Sequence, residues 1–167
     1  MMSFKWCQIK LLSSFLLINF GALGLGSYLM GEGPLSEWYD SINKAPWTPP
    51  GWVFGFAWTT IMICFSIFMS CAYRVMKKKN ILLLLFFIQL VLNVSWNPIF
   101  FNYHNSLFGL IVISLLTISI TVLMVFSFKT LRATTLLIFP YILWLFIATS
   151  LNGYIYFNNW EIGGKKS

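Results

Sequence analysis

Three apolar stretches each place a tryptophan beside small or polar residues at the spacing of a helix face. In the first stretch, Gly51, Gly55 and Trp58 follow i, i+4, i+7, so they lie along one stripe if the segment is helical. The two glycines leave a hollow next to a large indole. This hollow is suited either to a close helix contact or to the floor of a site for a flat ligand.

The second stretch carries its amides on one face. Gln89, Asn93, Trp96 and Asn97 fall at i, i+4, i+7 and i+8. An amide inside a membrane must find a hydrogen-bond partner or cost free energy, so this face is expected to point toward other helices or a ligand. Pro98 has no N–H group and should bend or end the helix near Asn97.

In the third stretch, Trp144, Ala148 and Asn152 form an i, i+4, i+8 stripe, with Tyr141 and Thr149 beside it. Once more an indole, a small residue and an amide share a face. Together the three stretches predict an aromatic and amide-lined cavity for a flat, largely apolar ligand with a few polar groups. Helix packing with interhelical hydrogen bonds is the alternative interpretation of the same pattern.

Other kinds of chemistry lack the residues they need. No Asp, Glu, Lys, Arg or His lies in the central part of a predicted membrane span, whereas such residues usually mark proton relays and ion-coupled pumps. There is no nucleophile–base pair and no phosphate-binding loop. Cys7, Cys64 and Cys71 lack ligand spacing, and His104 has no acidic or thiol neighbour in sequence. We therefore predict no metal site, no cofactor and no proton-driven transport.

The composition indicates which elements position these residues. Hydrophobic residues make up 59% of the 167-residue chain and charged residues 9%, with a mean hydropathy of +0.79; soluble domains have about 25% charged residues. Five segments reach the roughly 20 apolar residues that a helix needs to cross a bilayer. We predict an all-α membrane protein, one domain over residues 1–167, with five transmembrane helices at about 9–30, 52–73, 81–101, 107–128 and 134–157.

Residues 31–51, between the first two spans, are predicted to form a lid over the cavity. Pro46, Pro49 and Pro50 fix φ and remove backbone donors, so we expect a stiff, extended connector, with the next helix beginning near Pro50 or Gly51. The stretch from Trp38 in this loop to Trp58 carries four of the eight tryptophans. A loop this aromatic must pack against something, which favours a position across the pocket.

The net charge of +7 is interpreted as a topology signal, reinforced by anionic membrane lipid, rather than as nucleic-acid binding. Only Lys44, Lys165 and Lys166 fall on the lid side of a five-span arrangement. On the other side lie Lys5, Lys10, Arg74, Lys77, Lys78, Lys79, Lys129 and Arg132. The positive-inside rule then places the N-terminus in the cytoplasm. The first span is retained as a helix because its apolar run, about 20 residues, exceeds the 7–15 of a secretory signal.

Three motifs run through the loop and the spans. They read Trp38-Tyr39-x7-Trp47-Thr48-Pro49-Pro50-Gly51-x3-Gly55-x2-Trp58, then Leu92-Asn93-x2-Trp96-Asn97-Pro98-x-Phe100-Phe101, then Pro140-Tyr141-x2-Trp144-x3-Ala148-Thr149-x-Leu151-Asn152. Together they resemble the translocator protein family, also called tryptophan-rich sensory proteins or peripheral-type benzodiazepine receptors. The resemblance covers essentially the whole chain and includes the number of spans.

The resemblance implies a five-helix bundle, commonly a homodimer, whose pocket binds porphyrins such as protoporphyrin IX or heme, benzodiazepine-type ligands and, in animal members, cholesterol. Trp58 and Trp144 match two indoles implicated in light-dependent porphyrin breakdown by some bacterial members, so they would be the catalytic residues of such an enzyme. Carried over by position, the ligand-binding residues are Tyr39, Pro46, Trp58, Gln89, Asn93, Trp96, Trp144 and Ala148.

One departure concerns cholesterol. The animal motif needs an aromatic residue followed within five residues by Lys or Arg near the end of the fifth span, but the first basic residue after Tyr154 is Lys165. Cholesterol handling is therefore not expected. We expect a receptor or sensor in porphyrin homeostasis or stress signalling, in a bacterial membrane rather than the mitochondrial outer membrane. The alternatives are a light-dependent porphyrin-degrading enzyme and a transporter of porphyrin or other apolar ligands.

Overall fold

A computed structural model of the chain describes residues 2–159, with side chains from residue 9 onward. Its helices, in chain order, are α1 (Met2–Leu29), α2 (Glu37–Ser41), α3 (Gly51–Val75), α4 (Lys79–Asn97), α5 (Ser106–Leu131) and α6 (Phe139–Asn158). All except α2 are long, and no strand occurs within residues 2–159. The predicted all-α bundle of five long helices is confirmed. Predictions that rest on Lys5, Cys7, Lys165 and Lys166 fall outside the described side chains.

By length and composition, four stretches of the described chain can cross a membrane. They are Ile9–Leu35, Gly51–Val75, Lys79–Asn102 and Ser106–Asn158. The last is 53 residues long because a 3-10 segment, Arg132–Ile138, joins α5 directly to α6. It therefore contains two of the five predicted spans, and the chain is an integral membrane protein.

The end of α4 and the start of α6 are both set by irregular turns. The first break is as predicted, whereas α6 begins later than predicted. Pro98 has no N–H to continue α4, and a π-helical turn, Pro98–Asn102, follows it, as the predicted break near Asn97 requires. At the other end, α6 begins five residues later than predicted, because Arg132–Ile138 is wound as a 3-10 helix. Pro140 lies in the first turn of α6, where its missing N–H costs no helical hydrogen bond.

The lid is partly helical, so the prediction of an extended connector was wrong for its first half. Ser36 Oγ accepts a hydrogen bond from the Tyr39 N–H at 3.2 Å, which caps α2. Glu37 and Asp40 in the first turn favour the helix through its dipole. After α2 the chain has no regular helix until α3 begins at Gly51, at the predicted position.

Contacts at two points hold the lid across the bundle. The Asn43 N–H donates to Asn159 Oδ1 at 2.7 Å, and Asn159 Nδ2 donates back to the Asn43 carbonyl at 3.0 Å. On the other side, Trp38 stacks on His104 in the loop after α4, with ring centroids 4.4 Å apart. The lid therefore spans from the end of α6 to the end of α4.

The apolar core fills the half of the bundle that is remote from the lid. On α3, the buried residues begin at Ile61 and continue to Ala72, whereas Gly51, Gly55 and Thr59 are exposed. Phe65 is fully buried and its ring meets that of Tyr141 edge-on at 5.4 Å. The half of the bundle beneath the lid is thus left less densely packed, and the candidate site lies there.

Candidate ligand-binding cavity

A cavity of about 620 Å³ lies between the lid and the core, and every long helix contributes to its wall. From α3 it receives Gly51, Gly55 and Trp58, the stripe that the sequence predicts. A Cβ atom added to Gly51 or Gly55 would meet nothing within 4 Å, so both glycines face open space. The hollow beside Trp58 therefore belongs to the cavity rather than to a contact with another helix.

Two tryptophans on different helices form part of the cavity wall. Trp58 of α3 meets the Tyr141 ring edge-on at 6.0 Å, and Trp144 of α6 meets the Phe54 ring edge-on at 5.2 Å. Edge-to-face contacts of this kind fix the ring planes. Both indoles are therefore held in place before any ligand enters.

A third indole, Trp96 of α4, is fixed by a hydrogen bond as well as by stacking. Its ring stacks on Phe100 with centroids 5.3 Å apart, and its Nε1 donates to Asn152 Oδ1 at 3.2 Å. Asn152 Nδ2 in turn donates to the Ala148 carbonyl at 2.9 Å. Asn152 thus lies behind the wall and anchors Trp96, while Trp96 and Ala148 line the cavity.

The polar face of α4 ends in a buried chain of hydrogen bonds at the cavity wall. Asn93 Nδ2 donates to Tyr141 Oη at 2.6 Å, and the Tyr141 hydroxyl donates to Gln89 Oε1 at 3.1 Å. All three side chains are buried, and among them Asn93 lines the cavity. One amide hydrogen of Asn93 is used by Tyr141, so its other hydrogen and its carbonyl oxygen remain to offer a ligand.

The structure brings together six of the eight predicted ligand-binding residues. The two that do not line the cavity are Pro46, which lies in an exposed turn of the lid, and Gln89, which lies behind Asn93 and Tyr141. In this part of the lid, Thr48 and Pro49 line the cavity instead of Pro46. The six that line it are Tyr39, Trp58, Asn93, Trp96, Trp144 and Ala148.

Sequence reasoning missed several lining residues. Leu23 and Ser27 of α1 and Ile113 of α5 face the cavity, but they belong to helices without a polar stripe that could single them out. Lys44 of the lid was also missed, although the sequence contains a signal for it. It is the single basic residue of the 31–51 loop.

Lys44 is the single charged residue that lines the cavity within the described chain. Its Nζ lies 3.2 Å from Asp40 Oδ1 and 4.7 Å from the centroid of the Tyr39 ring. Burial raises the pKa of the Tyr39 phenol, so Tyr39 is neutral at physiological pH. Among the side chains that the structure describes, from residue 9 to residue 159, no group of three or more His, Cys, Asp or Glu is arranged to hold a metal ion. The indoles, the Asn93 amide and Lys44 in one cavity wall favour binding and orienting a flat ligand.

Comparison with known proteins identifies the family. The chain matches the model of the TspO/MBR family over residues 14–157. It is 32% identical over 152 residues to the tryptophan-rich protein TspO of Archaeoglobus fulgidus, covering 90% of this chain and 97% of that protein. It is 31% identical to protein CrtK of Rhodobacter capsulatus over 75% of this chain and 78% of that protein, and 30% identical to the human translocator protein over 83% and 84%. The chain therefore belongs to the TspO/MBR family of membrane proteins.

Proposed function

We propose that this protein is a membrane receptor that binds a tetrapyrrole such as protoporphyrin IX in the cavity beneath the lid and acts in porphyrin homeostasis or stress signalling. One observation carries the proposal: Trp58, Trp96 and Trp144, from three helices, line the same cavity together with the amide of Asn93. Flat aromatic ligands stack on indoles, and a few polar groups fix their orientation. The volume of about 620 Å³ lies within the roughly 300–1,000 Å³ of small-molecule pockets.

The proposal is tested by titrating purified protein in detergent with protoporphyrin IX in the dark and following the tryptophan fluorescence. We expect saturable quenching, and weaker binding when Trp58 and Trp144 are both replaced by Phe. Phe keeps an apolar ring but removes the larger indole surface and its N–H. A wild-type signal that never saturates would overturn the proposal.

Light-dependent porphyrin breakdown is a second candidate, favoured by the position of Trp58 and Trp144 on one cavity. The same samples are then illuminated in air. Loss of the porphyrin absorbance bands in wild-type protein but not in the Trp58→Phe, Trp144→Phe variant would indicate an enzyme. A stable spectrum would favour the receptor. Nothing in the spans favours ion-coupled transport, because their central parts carry no Asp, Glu, Lys, Arg or His.

We also propose that the lid lies outside the cytoplasm. Lys77 and Lys78 lie between α3 and α4, and Lys79 begins α4, at the end of the bundle opposite the lid, where anionic lipid would attract them. A membrane-impermeant maleimide applied to intact cells tests this in a cysteine-free background. It should label a Glu37→Cys variant and not a Lys78→Cys variant, and the reverse pattern would invert the orientation.

A further inference from the structure

Lys44 is the cation of the lid, and the other described residues of the cavity wall are uncharged. Lys44 lies after α2 and reaches the cavity beneath the lid, where its side chain is 29% exposed. Its Nζ lies 4.7 Å from the centroid of the Tyr39 ring, so an aromatic face holds the ammonium group at the cavity mouth. The positive charge is therefore placed where a ligand can reach it.

The present partner of Lys44 is weak. Asp40 Oδ1 lies 3.2 Å from Nζ, but the Asp40 side chain is 77% exposed and does not line the cavity. An ion pair with a carboxylate this exposed contributes little, because water screens it. An ammonium group has three hydrogens to donate, so Lys44 can also donate to a ligand anion, which then shares the positive charge with Asp40.

Among the described residues of the wall, Lys44 is the single one that offers an anionic group a positive charge. Apart from Lys44, the cavity is lined by aromatic, aliphatic and uncharged polar side chains. Tyr39 is next to the ammonium group and stays neutral, because burial raises the pKa of its phenol. A ligand with an apolar body and one carboxylate would therefore be oriented, with the carboxylate at the lid and the flat body against the indoles.

Resting on the proposed function, we infer that Lys44 binds a carboxylate of the ligand and gives the cavity a preference for the acid over its neutral esters. The carboxylate accepts a charge-assisted hydrogen bond from Lys44 Nζ. Asp40 competes for the same cation from the water side. Lys44 is thus a specificity-determining residue of the cavity.

The test compares two ligands that share the same macrocycle and differ only at the two carboxyl groups: protoporphyrin IX and its uncharged dimethyl ester. Dissociation constants are measured in the dark for wild type, Lys44→Met and Lys44→Arg, and the readout is the ratio of the two constants within each protein. Met keeps an apolar stem of similar length, whereas Arg keeps the charge. Lys129→Met is the matched control, because Lys129 is exposed at the far end of α5.

We expect wild type to prefer the diacid about tenfold over the diester, the scale of one hydrogen bond to a charged group. Lys44→Met should lose most of this preference, while Lys44→Arg and Lys129→Met should keep it. Asp40→Asn should strengthen diacid binding by removing the competitor. An unchanged ratio in Lys44→Met, or an equal loss of both ligands, would overturn the inference while leaving porphyrin binding intact. If neither ligand binds wild type, the proposed function falls, and this inference falls with it.

Discussion

At the scale of single residues, two sets of polar side chains in the bundle are hydrogen-bonded to one another. Asn93, Tyr141 and Gln89 form one chain, and Trp96 and Asn152 form another pair. The Tyr141 hydroxyl is central because it both accepts a hydrogen bond and donates one. Asn93 and Trp96, which line the cavity, are thereby oriented by Tyr141 and Asn152, which lie behind them.

Tyr141→Phe should therefore destabilise the protein, although Tyr141 itself does not line the cavity. It removes the partner of two buried amides, and we expect the free energy of unfolding to fall by about 1–2 kcal/mol. Denaturant-induced unfolding in detergent, followed by circular dichroism, measures this. The control is Tyr154→Phe, since Tyr154 contacts Trp47 through its ring. Equal stability of Tyr141→Phe and wild type would mean that the amides find other partners.

The sequence predicts some of these pairings only in part. The periodicity of Gln89, Asn93 and Trp96 shows that they share a face, and the cost of an unpaired amide shows that this face must be satisfied. It does not show that Tyr141, 48 residues further along, is the partner of Asn93. Such long-range partners depend on how helices rotate against each other, which a single helix pattern leaves open.

At the scale of the elements, helix positions follow well from apolar length, but irregular segments do not. The five long helices and the start of α3 at Gly51 are as predicted. Helix α2 was not predicted. The prolines of the lid indicate an extended segment, but the helix depends on a single cap at Ser36. The 3-10 segment Arg132–Ile138 was likewise counted as part of the last span.

Helix α1 also bears on the proposed homodimer. A Cβ on Gly26 would lie 2.7 Å from Asn97 Nδ2, so Gly26 serves a close contact with α4 inside the chain. Around Gly21 and Gly24 such an atom would meet nothing within 4 Å, which leaves that face available for a second copy.

We expect a Gly24→Cys variant, in a background without the native cysteines, to form disulfide-linked dimers on mild oxidation in native membranes. The control is Val125→Cys, on the exposed side of α5. Denaturing gels without reductant give the readout. If Gly24→Cys remains monomeric, or links no more than Val125→Cys, α1 does not form the interface.

At the scale of the whole molecule, the bundle is densely packed at one end and hollow at the other. Phe65, Phe68 and Met69 fill the core away from the lid, while glycines and indoles surround the cavity beneath it. The lid is held at Asn43 and Trp38, so the hollow is closed above without being filled. The fold class was predictable from composition and apolar length, and the indoles and the Asn93 amide of the wall were predictable from their spacing. The contributions of α1 and α5 were not, because their lining residues are ordinary aliphatic and small side chains.

The most direct test of this account is to fill the cavity from α3 and measure protoporphyrin IX binding by tryptophan quenching. Gly55→Leu places a side chain in the open space beside Trp58, while Gly21→Leu makes the same change on the exposed face of α1. Both replace a helical glycine by a better helix former, so neither should lower stability. We predict that Gly55→Leu weakens binding by about tenfold or more and that Gly21→Leu binds like wild type. Equal binding by the two variants would show that the ligand does not occupy this cavity.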